Sequence, residues 1–250
     1  MIKKAKFELC NIDAVEYLSQ LHSDSIDLVI TDPPYESLEK YRSIGTTTRL
    51  KNSKASSNVW FEIFHDNRFP DLFREIYRVM KKNTHLYVFS NQESMFVIKP
   101  IAEAAGFKFW KPIVWDKVKI GMGYHYRARY EFILFFEKGK RKLTNLGIPD
   151  VLQVPRIMRG YPTEKPAELN EILVKQSSNA GELILDPFMG SASAGAAAIK
   201  EGRDFLGNDL CSEAVDVARA RLKEIDGIES NSLLDTEEKE ERYIQHELSI

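Results

Sequence analysis

Asp32, Pro33, Pro34 and Tyr35 stand together directly after Ser25-Ile26-Asp27-Leu28-Val29-Ile30-Thr31, an apolar, β-branched run that reads as a buried strand. Proline has a fixed φ and no N–H, so Pro33 can offer only its carbonyl oxygen. Asp32 offers a second acceptor, and Tyr35 a flat aromatic face with a polar tip. Two acceptors beside an aromatic plate suit a planar group carrying an NH2, such as adenine N6 or cytosine N4. The competing reading is a strand-to-loop turn in which the prolines merely stop the strand.

A second constellation lies far downstream. Leu183-Ile184-Leu185-Asp186-Pro187-Phe188-Met189-Gly190-Ser191-Ala192-Ser193-Ala194-Gly195 has the form of a strand, a tight glycine-containing turn and a helix start, the general form of a nucleotide-cofactor loop. A phosphate-cradling P-loop needs a lysine after its last glycine, but Ala196 follows Gly195. A dinucleotide site wants three glycines in G-x-G-x-x-G, and one stands here. Asp186 at the strand end would repel a pyrophosphate but attract the ammonium and sulfonium of S-adenosyl-L-methionine (SAM). Asp209, at the end of the next strand, is placed where a carboxylate can bind ribose hydroxyls.

The elements that must position these residues alternate. Strands are expected over 7–10, 25–30, 86–89, 107–115, 130–136, 183–185 and 205–207. Helices are expected over 14–21, 69–80 (ended by Lys81-Lys82-Asn83), 93–105 (with Pro100 a kink), 166–176, 192–200 and from Ser212 onward. Such alternation predicts an α/β fold with a largely parallel sheet covered on both faces. Residues 36–58 lose apolar periodicity and read as a long loop, and 138–161 as an irregular basic stretch.

Composition narrows the classes. The 250 residues carry a net charge of −2, but residues 226–250 hold eight acids against Lys239 and Arg242, a tail of −6 that leaves +4 on the rest. A mildly basic body permits nucleic-acid binding. No apolar run reaches the roughly 18 residues of a membrane span. Cys10 and Cys211 are the only cysteines, and the start has no apolar signal core, so a reducing, cytoplasmic location is expected. The five histidines show no ligand spacing, so no metal is expected.

Asp-Pro-Pro-Tyr resembles the catalytic motif of the DNA amino-methyltransferases. Its position ahead of the Asp186-to-Gly190 loop resembles the permuted, beta class of that family, and the resemblance covers roughly residues 7–222. It implies a Rossmann-like SAM-dependent methyltransferase fold with seven strands, as a catalytic domain over 1–225 followed by an acidic tail over 226–250. It implies SAM as cofactor and Asp32, Pro33, Pro34 and Tyr35 as the catalytic group, with Tyr35 stacking on a flipped-out base. Asn11-Ile12-Asp13-Ala14 resembles the turn that contacts the cofactor's adenine, although Asp13 could equally cap the helix at Ala14. Tyr161-Pro162-Thr163-Glu164-Lys165-Pro166 resembles the segment that closes over the methionine moiety. The cofactor site so implied comprises Asp13, Ala14, Asp32, Thr163, Lys165, Pro166, Asp186, Pro187, Phe188, Gly190, Ser191 and Asp209. Ala192 and Ser193 depart from the family's glycine and threonine.

The same resemblance makes double-stranded DNA the partner, with a homodimer open, and adenine N6 the target. Cytosine-directed relatives often carry Ser in place of Asp32. Cytosine N4, RNA, or an inactive SAM- or DNA-binding module are the alternatives. Phosphate contacts are expected from Arg42, Arg49, Lys51 and Lys54 in the 36–58 loop, from Arg127 and Arg129, and from Lys140 and Arg141 in the 137–161 interval.

Overall fold

The computed structural model describes residues 5–36, 63–121, 125–158, 161 and 163–227. The 36–58 loop beyond Glu36, with Arg42, Arg49, Lys51 and Lys54, and the tail beyond Gly227 lie outside the described residues.

One mixed sheet of eight strands forms the middle layer, ordered β1-β8-β7-β2-β3-β5-β4-β6. The strands are β1 (Phe7–Cys10), β2 (Ile26–Thr31), β3 (Met80–Ser90), β4 (Lys108–Asp116), β5 (Tyr130–Lys138), β6 (Val151–Gln153), β7 (Leu183–Asp186) and β8 (Asp204–Asn208). All pairs are parallel except those of β5 with β3 and β4. The helices are α1 (Ala14–Gln20), α2 (Phe69–Val79), α3 (Ser94–Ala104), α4 (Ala167–Ser177), α5 (Ser193–Lys200) and α6 over 212–227.

Side-chain alternation along the strands feeds two separate cores. Leu28 and Ile30 of β2, Tyr87 and Phe89 of β3, and Ile133 of β5 pack beneath α4, α5 and α6. Val29, Leu86, Val88 and Leu134 point the other way, beneath α1, α2 and α3. Every residue of β2 is buried, because both faces of this central strand are covered. The small residues of α5 let it lie close on the sheet. A Cβ at Gly195 would come 2.6 Å from the Phe205 ring, so this position excludes any larger residue without a shift.

Two expectations need correction. Lys81-Lys82-Asn83 do not end a helix. α2 stops at Val79 and β3 begins at Met80, whose pairing with Ile26 and complete burial outweigh local helical preference. The sheet has eight strands where seven were expected. The extra one, β6, is a three-residue edge strand on β4, too short to show a period in the sequence.

Candidate active site

The parallel strands deliver their carboxyl ends to one edge of the sheet, and four acidic residues sit just past them or at their last position: Asp13 after β1, Asp32 after β2, Asp186 ending β7 and Asp209 after β8. β7 and β2 are neighbours, and the chain leaves them toward opposite sides of the sheet, so the crevice opens between them. A cleft of about 1570 Å³ runs across this edge. Typical small-molecule sites occupy about 300–1,000 Å³, so this one has room for a nucleoside cofactor and a second planar group.

Both oxygens of the Asp32 carboxylate are held. The Tyr35 hydroxyl lies 2.7 Å from Oδ1 and 2.7 Å from the Phe89 carbonyl oxygen. The Lys165 ammonium bonds Oδ2 and stands 3.5 Å from Glu131 Oε2. Glu131 Oε1 in turn accepts from Lys117 Nζ at 2.5 Å. A chain of alternating charge, Asp32–Lys165–Glu131–Lys117, thus lines one wall. Burial opposes the charge on Lys165, yet Asp32 and Glu131 together raise its pKa above the usual lysine value. Burial pushes Glu131 up, but Lys165 and Lys117 outweigh it and hold the carboxyl below its usual value.

The carbonyl of Pro34 accepts from Phe64 N at 2.8 Å, while that of Pro33 has no partner among the described residues. Pro33 therefore keeps a free acceptor beside Asp32. Tyr35 departs from expectation. Its side chain is 6% exposed, its ring packs in the core beneath α1–α3, and its hydroxyl points at Asp32. That burial leaves little of the ring exposed to the cleft, and it raises the phenol pKa well above 10.

The other wall is built by the loop between β7 and α5. Asp186 Oδ1 accepts from Phe188 N at 3.0 Å, closing the turn. Asp186 is 6% exposed, and that desolvation pushes its pKa up to about 8. Gly190 has φ +50, a left-handed conformation that glycine adopts without strain. Ala192, in place of the family's glycine, also has positive φ (+54), as does Thr163 (+62), so two non-glycine residues beside the cleft carry backbone strain. Asp209 ties the loop to β8: its Oδ2 accepts from Gly190 N and its Oδ1 from Cys211 N, each at 2.9 Å. Burial raises its pKa. Asp13 caps α1 through Oδ1, accepting from Val15 N and Glu16 N, and pairs through Oδ2 with Arg68 at 2.7 Å. Burial raises its pKa, but the Arg68 and backbone hydrogen bonds prevail and lower it.

The cleft gathers Asp13, Ala14, Asp32, Pro33, Pro34, Tyr35, Thr163, Lys165, Asp186, Pro187, Phe188, Gly190, Ser191 and Asp209 along one lining. Pro166 caps α4 next to it. The carboxylates and the carbonyl of Pro33 are acceptors suited to an ammonium, a ribose diol and an exocyclic amine, which is the donor set of SAM with a nucleobase. The residues present fit that cofactor.

The basic residues divide. Arg129 donates from Nε to Asp116 at 2.7 Å and from Nη2 to the same carboxylate, clamping the β4–β5 hairpin rather than standing free. Arg127 is exposed on that hairpin, at the carboxyl edge of the sheet, and donates to the Gly121 carbonyl. Lys140 and Arg141 are a correction. β5 runs antiparallel, with Phe132 beside Ser90 and Lys138 beside Thr84, so it carries them to the opposite end of the sheet. There Arg141 pairs with Glu182 at 2.8 Å, and the backbone N–H of Lys140 donates to Asn83. Arg156, from the same interval, does line the cleft.

Sequence reasoning left out several lining residues: Phe64, whose ring meets Phe188 edge-on at 5.2 Å, Arg68, Glu131 as a charge partner, and Asn170. Asn170 left a legible signal, a polar residue beside Leu169, Leu173 and Val174 on the buried face of α4. No group of three or more potential metal ligands occurs among the described residues, and none of their helices is long and apolar enough to cross a membrane.

A three-layer α/β fold with an acidic crevice at the switch between β7 and β2 defines a Rossmann-like, SAM-dependent methyltransferase. The comparisons narrow the class. The DNA methylase family model matches residues 26–155 and 147–220. Type II methyltransferase M.HpaI of Haemophilus parainfluenzae is 30% identical, over 87% of this chain and 75% of its own. DNA adenine methyltransferase YhdJ of Escherichia coli K12 is 28% identical, over 84% of this chain and 80% of its own. In fold the chain is similar to the DNA modification methylase TTHA0409 of Thermus thermophilus solved with SAM (TM-score 0.64, 23% identity, 88% of this chain and 94% of that one). It is similar too to the cytosine-N4-specific PvuII DNA methyltransferase (TM-score 0.67, 16% identity, 90% and 93%). The chain belongs to the N6/N4 DNA methylase family.

Proposed function

We propose that the protein transfers a methyl group from SAM to the N6 nitrogen of an adenine flipped out of double-stranded DNA. The carrying observation is the acceptor pair of Asp32 and the Pro33 carbonyl at the head of β2, opening into a cleft shared with Asp186 and Asp209. An exocyclic amine is a poor nucleophile because its lone pair is conjugated with the ring. Hydrogen bonds from that amine to Asp32 and Pro33 would draw the nitrogen out of conjugation and aim its lone pair. A carboxylate oxygen accepts more than one hydrogen bond, so Asp32 can take the amine while Tyr35 and Lys165 hold it in place. Tyr35 on this reading positions Asp32 and does not stack on the base. SAM supplies the electrophilic methyl group. Asp186, Asp209 and the Gly190 turn would hold its amino-acid end and ribose.

Adenine is favoured over cytosine by aspartate rather than serine at position 32, and by similarity to the DNA adenine methyltransferase YhdJ. DNA contacts are assigned to Arg156 in the cleft lining, to Arg127 on the hairpin at the carboxyl edge of the sheet, and to Arg42, Arg49, Lys51 and Lys54. A cytoplasmic location accords with the two free thiols. The test is incubation with labelled SAM and mixed DNA, followed by nucleoside analysis. N6-methyladenine is expected, N4-methylcytosine would move the target, and no methylated base would leave a binding module. Asp32→Ala should keep SAM affinity within several-fold while transfer falls by about 10²-fold or more. Retained turnover would remove Asp32 from the chemistry.

A further inference from the structure

Asn170 sits on α4 where that helix packs against the start of α5. It is 1% exposed, yet it lines the cleft. Its Nδ2 donates to Ser193 Oγ at 3.1 Å. Its Oδ1 is buried and has no hydrogen-bond partner among the described residues. An unsatisfied buried acceptor costs about 1–3 kcal/mol, and natural folds rarely keep one without a use. Nothing in the packing of α4 demands an amide, because Leu169, Leu173 and Val174 around it are apolar. Leucine or methionine would fill the position without that cost.

The surroundings say which donor would complete it. The Asn170–Ser193 pair stands at the first residue of α5, beside the loop that carries Asp186 and Ser191, on the same cleft wall. No basic side chain lies on that loop between Asp186 and Ala194, and Arg221, which reaches it from α6, is already bonded to Glu164 and Ser191, so an occupant of the cleft is left to supply the donor. An oxygen acceptor near a buried aspartate selects a donor that is cationic with several N–H groups, an alkylammonium. Asp186 can take one N–H and Asn170 another, since an ammonium offers three.

We infer that Asn170 is a cofactor-contacting residue that accepts a hydrogen bond from the α-ammonium of the cofactor's amino-acid end, held in register by Ser193. This rests on the SAM reading above and extends it to a residue where sequence resemblance implied no role. Its consequence is selectivity: the cleft distinguishes thioadenosines that carry an amine from those that do not.

Calorimetry on the intact chain tests it with three probes. S-adenosylhomocysteine has the whole amino-acid end, 5′-deoxy-5′-(3-aminopropylthio)adenosine keeps the amine alone, and 5′-methylthioadenosine has neither amine nor carboxylate. Asn170→Leu should weaken the first two by about tenfold or more and leave the third unchanged. Asn170→Asp, which keeps an oxygen acceptor, should retain binding of the amine-bearing probes. The melting temperature of ligand-free Asn170→Leu should match or exceed that of the parent, because an orphaned acceptor has been removed. Equal weakening of all three probes, or a marked loss of ligand-free stability, would make Asn170 a structural residue and overturn the inference. Unchanged binding of all three would overturn it too. Failure of the unaltered protein to bind any of the probes would instead bring down the SAM reading, and this inference with it.

Discussion

If Asp186 holds the cofactor's ammonium as proposed, cofactor binding should be a proton-linked event. Burial pushes its pKa up to about 8, so in the ligand-free protein at pH 7 most molecules carry a neutral carboxyl group there. An ammonium beside it favours the ionised form, and binding should therefore expel a proton. The cofactor's own α-amino group loses its charge near pH 8. The fraction of encounters pairing an ionised Asp186 with a protonated amine rises about twentyfold from pH 6 to pH 8, then declines. Affinity for SAM should follow that bell. Calorimetry at pH 7 in buffers of different ionisation heat should show release of close to one proton. Asp186→Asn should remove both the rise and the release. Stability of the free protein should move oppositely. The native state binds more protons here than the unfolded chain between about pH 4 and pH 8, so stability falls as pH rises through that window. Urea titrations of Asp186→Asn should show a shallower fall. An affinity flat from pH 6 to pH 8, or a bell unchanged in Asp186→Asn, would refute the reasoning.

Further outcomes are expected from the residues that hold the site. Lys165→Met leaves Asp32 without its cation and Glu131 with only Lys117. Breaking a buried pair costs about 3–5 kcal/mol, and here about 2 kcal/mol is expected from urea denaturation at pH 7 because the carboxylates keep 27% and 28% exposure. The deficit should shrink at acid pH, since the contribution of the depressed Glu131 is present above the unfolded carboxylate pKa and lost as pH falls through its folded one. A deficit that grows on acidification would refute this. Asp209→Ala should weaken SAM and S-adenosylhomocysteine alike, by about 1–3 kcal/mol in calorimetry. It should lower the melting temperature as well, because Gly190 N and Cys211 N lose their acceptor. Tyr35→Phe should reduce stability by about 1–3 kcal/mol, with the Phe89 carbonyl and Asp32 losing the hydroxyl between them, and should slow methyl transfer more than it alters SAM affinity. Weakened cofactor binding with intact kcat would make Tyr35 a cofactor residue instead.

Much of this architecture was legible because its signals are local. A buried strand is a short apolar run, and β2 and β7 declare themselves with their terminal carboxylates; a tight turn before a small-residue helix marks the Gly190 loop. What escaped is what depends on direction or on contacts between distant residues. Lys165 is 133 residues from Asp32, and no periodicity reveals that its ammonium meets that carboxylate. Tyr35 reads as a free aromatic plate, and only the packing of the sheet against α1–α3 hides its ring.

Lys140 and Arg141 show how direction misleads. They follow β5 by two and three residues, in the basic 137–161 interval where the family resemblance places DNA contacts. A nine-residue strand spans about 30 Å at 3.3–3.4 Å per residue. Antiparallel pairing spends that length moving away from the cleft, and the two charges finish beside Asn83 and Glu182. Charge that is to grip DNA near Asp32 must instead come from chain that returns to the carboxyl edge. Among the described residues, the β4–β5 hairpin with Arg127 and the segment after β6 with Arg156 do so. Phosphate contacts position without specifying sequence, so discrimination at this edge needs hydrogen-bonding side chains that reach base edges.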